Sequence, residues 1–373
     1  MLRLRLEALL RLRLRLRPIV LSAPALLSRP TMPLPAAPPP QLVSVAAAQF
    51  ACSADRAANE DRAERAVRKA AAAGANVVLL QELFSDLYFC QVQEESLFAL
   101  ARERSTAGGS PGAGKGGNAA AASAAASALL GRFSALAAEL GVVLPVSFFE
   151  RCGQAHFNTV VVFDADGEEL GSYRKSHIPD GPGYQEKFYF SPGDTGFRVF
   201  QTAFGRVGVG ICWDQWFPEA ARVMALNGAD ILLYPTAIGS EPQDATLDSR
   251  HHWRTVMQGH AGANLCVLAA ANREGVEQAM DGSDQTITFY GGSFVAGPTG
   301  ELWDACAWYP RQPQDHDSQV EEEPEDGISL AIGQFDLARI RLQRASWGIF
   351  RDRRPELYDA IGSLDGGTRR GAR

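Results

Sequence analysis

Three side chains that could take part in bond-breaking chemistry stand where apolar stretches of the sequence end. Glu82 follows ANVVLLQ, Lys175 closes HFNTVVVFDADGEELGSYRK, and Cys212 follows RVGVGI. Apolar runs of this kind predict buried strands. Functional side chains of α/β proteins gather at the carboxyl ends of strands. We therefore expect the three residues to share one site, although they lie far apart in the chain.

Together these residue types can cleave a carbon–nitrogen bond through a covalent intermediate on sulfur. A thiol that attacks an amide-type carbon must lose its proton to a base, and Glu82 can accept that proton. The carbonyl oxygen then gains negative charge, which Lys175 and the backbone N–H of Trp213 can stabilise. A helix is predicted to begin near Pro218, and its N-terminal field should lower the pKa of the Cys212 thiol. This chemistry requires no cofactor.

The elements that must position these residues alternate between strands and helices. The strands are almost continuously apolar, which is typical of a sheet covered on both faces. We therefore predict a single α/β domain over residues 42–362. Strands are predicted at 42–50, 75–83, 142–150, 156–175 (a hairpin), 206–214, 229–237, 265–274, 291–301 and 328–336, and helices at 59–74, 129–141, 217–228 and 249–263.

Four segments have compositions that do not fit a packed core. Residues 1–41 are expected to lie outside the fold: residues 1–31 are rich in Arg and Leu, which favours either an organellar transit peptide or an extension upstream of a start at Met32, and residues 33–40 are a Pro-rich linker. The protein is therefore expected in the cytoplasm, or in a plastid or mitochondrion if that segment is a transit peptide. Residues 107–127 are a Gly- and Ala-rich insertion whose Ala-rich half favours a helix. An acidic loop is predicted at 316–327, and disorder at 1–41 and 363–373.

The charge balance narrows the class of ligand. The 373 residues carry a net charge of −7 although the N-terminal segment is rich in arginine, so the remainder is strongly acidic. Such a chain is a poor partner for nucleic acid and favours a small cationic ligand. The sequence has no run of about 18 apolar residues, so no membrane span is predicted. The sequence has no HExxH zinc motif and no GxxxxGK[ST] phosphate loop, so we expect no metal and no nucleotide.

Three motifs arrange the candidate residues in a known pattern. QELF (81–84), YRKSHIP (173–179) and GICWDQWFPE (210–219) occur in this order. They resemble the Glu-Lys-Cys signature of the nitrilase, or carbon–nitrogen hydrolase, superfamily, and the resemblance covers nearly all of the predicted domain. It implies a four-layer αββα sandwich and homo-oligomers built from dimers, up to an octamer. In the segment YQEKFYFSPGD it also implies a supporting role for Glu186 beside the lysine.

Longer blocks, among them CWDQWFPEAAR and HWRTVMQGHAGAN, are similar to plant members of the superfamily that act on N-carbamoylputrescine. The resemblance implies hydrolysis of this small cationic ureido compound to putrescine, carbon dioxide and ammonia, a step in polyamine synthesis from arginine via agmatine. The distal ammonium of such a substrate needs a carboxylate at the end of an apolar channel. For the carboxylate we predict Glu241, with Asp244 as the alternative, and for the channel Tyr88, Phe89 and Trp213.

Two other functions stay compatible with the same residues. A β-ureidopropionase or an ω-amidase of the superfamily would use the same Glu, Lys and Cys. Its substrate carries a carboxylate, so Arg or Lys should stand where Glu241 is predicted. A non-catalytic binding or assembly member should lack one of the three residues, and this sequence has all of them.

Overall fold

The computed structural model describes residue 39 and residues 41–104, 117–310 and 324–367, without the side chains of residues 117–125. Residues 39–373 group into one compact unit. Most of the N-terminal segment, the first part of the 107–127 insertion, most of the acidic loop and the end of the C-terminal tail lie outside the described residues. The predictions made for those parts of the chain therefore stay predictions.

Strands and helices follow one another in the order that the sequence predicts, with additional short elements. In chain order they are β1 Leu42–Phe50, α1 Arg56–Ala72, β2 Val77–Leu79, β3 Arg102–Glu103, α2 Gly117–Leu140, β4 Leu144–Cys152, β5 Ala155–Phe163, β6 Glu169–Arg174, α3 Glu186–Tyr189, β7 Val199–Thr202, β8 Gly205–Val209, α4 Pro218–Leu226, β9 Ile231–Thr236, α5 Arg250–Asn264, β10 Val267–Asn272, β11 Glu274–Gln278, β12 Thr286–Tyr290, β13 Phe294–Ala296, β14 Leu302–Ala305, β15 Ile328–Asp336 and α6 Leu337–Trp347.

The strands within the described residues form two sheets and a separate hairpin. In the first sheet the order is β15-β1-β2, and a bridge between Val77 and Val143 joins this edge to the β3-β4-β5-β6 strands. The second sheet has the order β14-β13-β10-β9-β8-β7, and β11 pairs with β12. β2 runs parallel to β1, and β8, β9 and β10 run parallel to one another. Their carboxyl ends therefore open onto common edges.

The two sheets pack face to face, and helices cover both outer faces. Alternate residues of β1 show this arrangement. Val43 and Val45 belong to the core between the sheets, together with residues of β8 to β10. Ala46 and Phe50 point the other way, into a core shared with α1 and α2. A third core lies between the second sheet and α4 with α5. This arrangement confirms the four-layer αββα sandwich.

The structure corrects the ends of the two strands that lead to Glu82 and Cys212. β2 ends at Leu79, and Glu82 lies in a turn in which Leu83 has a φ of 50°. β8 ends at Val209, and Cys212 opens a 3₁₀ turn, Cys212–Trp216, with a φ of 40°. Both turns enter the left-handed region, which disfavours residues with a Cβ. Apolar patterning predicted longer strands because it does not register where the backbone leaves a sheet.

The packing of α2 on the first sheet offers a test of the core. Phe133 is fully buried there and contacts Phe84 edge to face, with ring centroids 5.4 Å apart. We expect Phe133→Ala to lower the free energy of unfolding by about 3–5 kcal/mol, through lost burial and the cavity left behind. The exposed Leu342 of α6 provides the control, since Leu342→Ala should change it by about 0.5 kcal/mol or less. Urea unfolding measures both, and equal effects would contradict this packing.

Candidate active site

Glu82 and Lys175 meet in the interior next to the turn that carries Cys212. Lys175 directly follows β6, and its Nζ donates a hydrogen bond of 2.8 Å to Glu82 Oε1. All three residues are buried, with Cys212 6% exposed. Glu82 and Lys175 are the charged groups that act most strongly on the Cys212 thiol. The structure therefore brings the three predicted residues together, two from the first sheet and one from the second.

The two oxygens of Glu82 have different surroundings. Oε1 accepts hydrogen bonds from Lys175 Nζ and, at 2.6 Å, from Nδ2 of the buried Asn158. Oε2 is buried and has no hydrogen-bond partner within the described part of the chain. A buried carboxylate oxygen without a partner is uncommon, because the missing hydrogen bond is costly. Oε2 is therefore the oxygen that remains available to take a proton.

Glu186, at the start of α3, forms a second ion pair with Lys175. Its Oε1 and Oε2 lie 2.9 and 2.7 Å from Nζ, and its Oε1 also accepts a hydrogen bond of 2.8 Å from the hydroxyl of Tyr88. Burial raises the pKa of the Glu186 carboxyl to about 7, although the Lys175 ammonium opposes this shift. Burial would lower the pKa of Lys175, but Glu186 and Glu82 outweigh it, so that pKa lies well above its ordinary value.

Cys212 is a neutral thiol in this environment, which corrects the sequence-based expectation. Burial, followed by the charge of Glu82, raises its pKa well above the ordinary value. The helix predicted to begin near Pro218 is present as α4, but the field of a helix N-terminus acts mainly within its first turn, and burial dominates at Cys212. Its Sγ lies 3.8 Å from the backbone oxygen of Ala237. A thiol of this kind needs a base at the moment of attack.

Asp214 fixes the turn of Cys212 against the segment that follows Lys175. Its Oδ2 accepts hydrogen bonds from the N–H of Ile211 and the hydroxyl of Tyr173, and its Oδ1 accepts one from the N–H of His177. The carboxylate thus ties the two sheets together beside the thiol. Neither Asp214 nor Asn158 is among the residues predicted from the sequence. A signal existed for each, since Asp214 stands two residues after the cysteine and Asn158 interrupts an apolar strand.

A cavity of about 580 Å³ opens next to Cys212. Parts of the segments 179–186, 212–216 and 237–252 line it, and they include Trp213, which is 41% exposed. None of the described residues that line it is Lys or Arg, whereas four are carboxylates: Asp180, Glu186, Glu241 and Asp248. Two of these are matched by cations, since Glu186 pairs with Lys175 and Asp248 with Arg250. The cavity is therefore suited to a cationic ligand.

The residues predicted to bind substrate divide into two groups. Glu241 and Trp213 line the cavity, whereas Asp244, Tyr88 and Phe89 do not. Asp244 is exposed and accepts hydrogen bonds from Thr246. Tyr88 and Phe89 are buried behind the cavity wall, where Tyr88 bonds to Glu186 and Phe89 packs in an aromatic cluster. The predicted channel is thus wrong for these two aromatic residues, because both face the core.

The described residues hold no cluster of three or more His, Cys, Asp or Glu side chains arranged for a metal ion. Among the helices that the structure describes, none has the length and apolar character to span a membrane.

Comparison with known proteins identifies the family of this chain. A sequence model of the family Carbon-nitrogen hydrolase matches residues 44–345. The chain belongs to the carbon-nitrogen hydrolase family. A crystal structure of a carbon-nitrogen hydrolase from Helicobacter pylori G27 has a TM-score of 0.72 at 35% identity, covering 87% of this chain and 99% of that one.

Two relatives within the family are also closely similar in sequence. The protein named N-carbamoylputrescine amidase from Arabidopsis thaliana is 53% identical, over 87% of this chain and 96% of its own length. The protein named Citrullinase from Francisella tularensis is 45% identical, over 86% of this chain and 98% of its own. The resemblance to carbon–nitrogen hydrolases is thereby confirmed, and the protein is a hydrolase of C–N bonds.

Because the pKa of Glu186 is raised, the stability of this carbon-nitrogen hydrolase should depend on pH. The carboxyl titrates near 4.5 in an ordinary setting and at about 7 in the folded chain. Between these two pH values the Glu186 carboxyl is ionised in the unfolded chain but still protonated in the folded chain. The free energy of unfolding therefore falls as the pH rises, by up to about 1.4 kcal/mol per pH unit. The stability that this carboxyl contributes is fully present below pH 4.5 and is lost as the pH rises through about 7.

Glu186→Gln removes this titration, because an amide cannot ionise. We compare the free energies of unfolding of the wild type and the variant. The wild-type value minus the variant value should decrease as the pH rises toward about 7 and should then level off. Urea unfolding of both proteins at several pH values between about 5 and 8 measures this difference. A difference that stays constant over that range would contradict the raised pKa.

Proposed function

We propose that this protein hydrolyses N-carbamoylputrescine to putrescine, carbon dioxide and ammonia through a covalent intermediate on Cys212. The observation that carries the proposal is the cavity beside the thiol, whose described lining has four carboxylates and no Lys or Arg. A ureido group attached to a positively charged chain fits such a cavity. The similarity to the Arabidopsis protein named N-carbamoylputrescine amidase supports the same substrate.

The first step is attack by sulfur. Glu82 Oε2, which is free of hydrogen bonds from described residues, takes the proton of the Cys212 thiol as Sγ forms a bond to the ureido carbon. The carbonyl oxygen becomes an oxyanion. The Lys175 ammonium and the Trp213 N–H stabilise it, since the first N–H groups of a helical turn have no partner within that turn. Fixed donors of this kind lower the barrier because they need no reorganisation during the reaction.

The second step expels nitrogen and the third restores the enzyme. Protonated Glu82 returns its proton to the departing nitrogen, and the C–N bond breaks to leave a carbamoyl thioester on Cys212. A water molecule then gives a proton to Glu82 and attacks the thioester. The C–S bond breaks, Glu82 returns the proton to the sulfur, and the carbamic acid that is released splits into carbon dioxide and the second amine. Lys175 stays charged throughout, because the carboxylates of Glu82 and Glu186 hold its pKa well above the ordinary value.

Recognition of the distal ammonium falls to Glu241. This residue lines the cavity and is partly buried, and its Oε2 accepts a hydrogen bond of 3.0 Å from Gln243. Asp248 is a weaker candidate because Arg250 already offsets its charge. Asp244 is excluded from this role by its position outside the cavity lining.

The same lining disfavours the alternative substrates. The substrates of a β-ureidopropionase or an ω-amidase carry a carboxylate, and so does citrulline. A binding site for a carboxylate needs a cation, and the described residues that line this cavity include no Lys or Arg. A non-catalytic role is also disfavoured, since such a protein has no need of a buried carboxylate oxygen held free beside a thiol.

We also propose that the protein self-associates. A second groove of about 640 Å³ lies between α4 and the C-terminal segment. Val223, Leu226 and Ile361 line it and are 38%, 45% and 61% exposed. Exposed apolar patches of this kind favour contact with another protein surface. Oligomer size, and location in the cytoplasm or an organelle, stay predictions.

Ammonia release tests the proposed reaction. We expect kcat/KM for N-carbamoylputrescine to exceed that for N-carbamoyl-β-alanine, citrulline and glutamine by about 10-fold or more, because the cavity pairs with a cation and repels a carboxylate. Cys212→Ala should lower kcat by about 10⁴-fold or more. The partly exposed Cys152 provides a matched control, and Cys152→Ala should keep wild-type rates. Faster turnover of a carboxylate-bearing substrate would refute the proposal.

The role of Glu241 has a separate test. Glu241→Gln should raise KM for N-carbamoylputrescine by about 10-fold, because a charge-assisted contact with the ammonium is lost. KM for butylurea, which has the ureido group without the ammonium, should change little. Asp244→Asn is the matched control and should leave both KM values unchanged. Equal losses for the two substrates in Glu241→Gln would remove this residue from recognition.

A further inference from the structure

Arg273 is a buried cation that the proposed reaction does not use. It lies between β10 and β11, and its side chain is fully buried. Its Nη2 donates hydrogen bonds to the backbone oxygens of Glu82, at 2.8 Å, and Leu83, at 3.1 Å. An arginine from the second half of the chain thus holds the turn that carries the base.

This turn needs an external hold because its backbone is strained. Leu83 has a φ of 50°, in the left-handed region. A conformation of this kind costs a residue with a Cβ about 1–3 kcal/mol and persists when the surroundings enforce it. The hydroxyl of Ser147 binds the N–H of Leu83 at 3.0 Å from one side, and Arg273 binds its carbonyl oxygen from the other.

Glu277 completes the arrangement. Its two oxygens lie 2.8 and 2.9 Å from Arg273 Nη1, and its Oε2 accepts a hydrogen bond of 2.6 Å from the N–H of Tyr88. The hydroxyl of Tyr88 in turn binds Glu186, which binds Lys175.

The contacts therefore form a closed ring. From the Glu82 carboxylate the ring passes through the Lys175 ammonium to the Glu186 carboxylate and the Tyr88 side chain. It returns through the Tyr88 N–H, the ion pair of Glu277 with Arg273, and the backbone oxygen of Glu82. Both ends of the turn from 82 to 88 are fixed in this way, one by each member of the ion pair.

We propose that Arg273 and Glu277 are a positioning pair, which sets the direction of the Glu82 carboxylate toward Cys212 by fixing the turn at both ends. The proposal rests on the function proposed above. Neither residue touches substrate in this assignment, and their effect passes through the backbone. Arginine suits the task because its planar fork can bind two carbonyl oxygens and a carboxylate at once, which a lysine ammonium does less well.

The test removes the pair as a unit. Loss of one partner leaves an uncompensated buried charge and is strongly destabilising, whereas replacing both is often tolerated. The variant is Arg273→Met with Glu277→Gln, since Gln keeps an acceptor for the Tyr88 N–H. We expect kcat for N-carbamoylputrescine to fall by about 100-fold, as for a misplaced catalytic group, with KM within about twofold of the wild type. Arg273→Lys alone should retain more of kcat, because it keeps the charge and a donor.

A matched control removes another ion pair. Asp230 and Arg341 are paired at 2.6 Å at the amino end of β9, whereas the cavity lies beyond the carboxyl end of that strand. Asp230→Asn with Arg341→Met should leave kcat unchanged. Amide hydrogen exchange of residues 82–88, followed by mass spectrometry, gives a readout that needs no substrate. Exchange should be about 10-fold faster in the Arg273/Glu277 variant and unchanged in the control.

The outcomes separate this inference from the proposed function. A wild-type protein that releases no ammonia from N-carbamoylputrescine contradicts the function, while the exchange experiment still tests the hold on the turn. Unchanged exchange overturns the positioning pair. So does faster exchange with wild-type kcat, or an equal loss of kcat in the control pair. If the double variant does not fold, Arg273→Lys decides, and wild-type kcat and exchange in that variant overturn the proposal.

Discussion

The burial of the Lys175 ammonium is the constraint on which the site depends. A lone cation in this interior would be strongly disfavoured, because it loses its hydration. Here Glu82 lies 2.8 Å from Nζ and Glu186 lies 2.7 Å away. Two carboxylates facing one ammonium leave an excess of negative charge. Burial, followed by the charge of Glu82, raises the pKa of the Cys212 thiol, and burial raises the pKa of Glu186. Burial and the surrounding charges therefore set the resting state of the nucleophile.

The site joins two sheets, and each contributes a strained turn. The turn at Leu83 follows a strand of the first sheet, and the turn at Cys212 follows a strand of the second. A charged side chain holds each turn; at the first it comes from a distant part of the chain, and at the second from the turn itself. Arg273 binds the carbonyl oxygens of the first, and Asp214 binds the N–H of Ile211 at the second. Strained backbone is common at functional sites, where it aims side chains that regular strands would place elsewhere.

The cavity lining is rich in carboxylates, as is the interior around Lys175. In the interior, the carboxylates of Glu82 and Glu186 share the single ammonium of Lys175. Glu241 and Asp180, which are less buried, also line the cavity, and none of the other described lining residues is Lys or Arg. The overall acidity of the chain would attract a cation from a distance. The local carboxylates would then select for it, which separates this cavity from one built for a substrate that carries a carboxylate.

The class of fold, the order of the main elements and the three residues that meet at the site could be predicted from the sequence. Apolar runs predict strands, and the polar residues that follow these runs lie just beyond the strand ends. Features that depend on contacts between distant segments emerge only when the chain folds. Burial raises the pKa of Cys212, where a lowered pKa was expected, and core packing turns Phe89 away from the cavity. Packing also brings Asn158 and Arg273 to Glu82. No local sequence pattern contains this information, because desolvation and side-chain direction depend on residues that are distant in the chain.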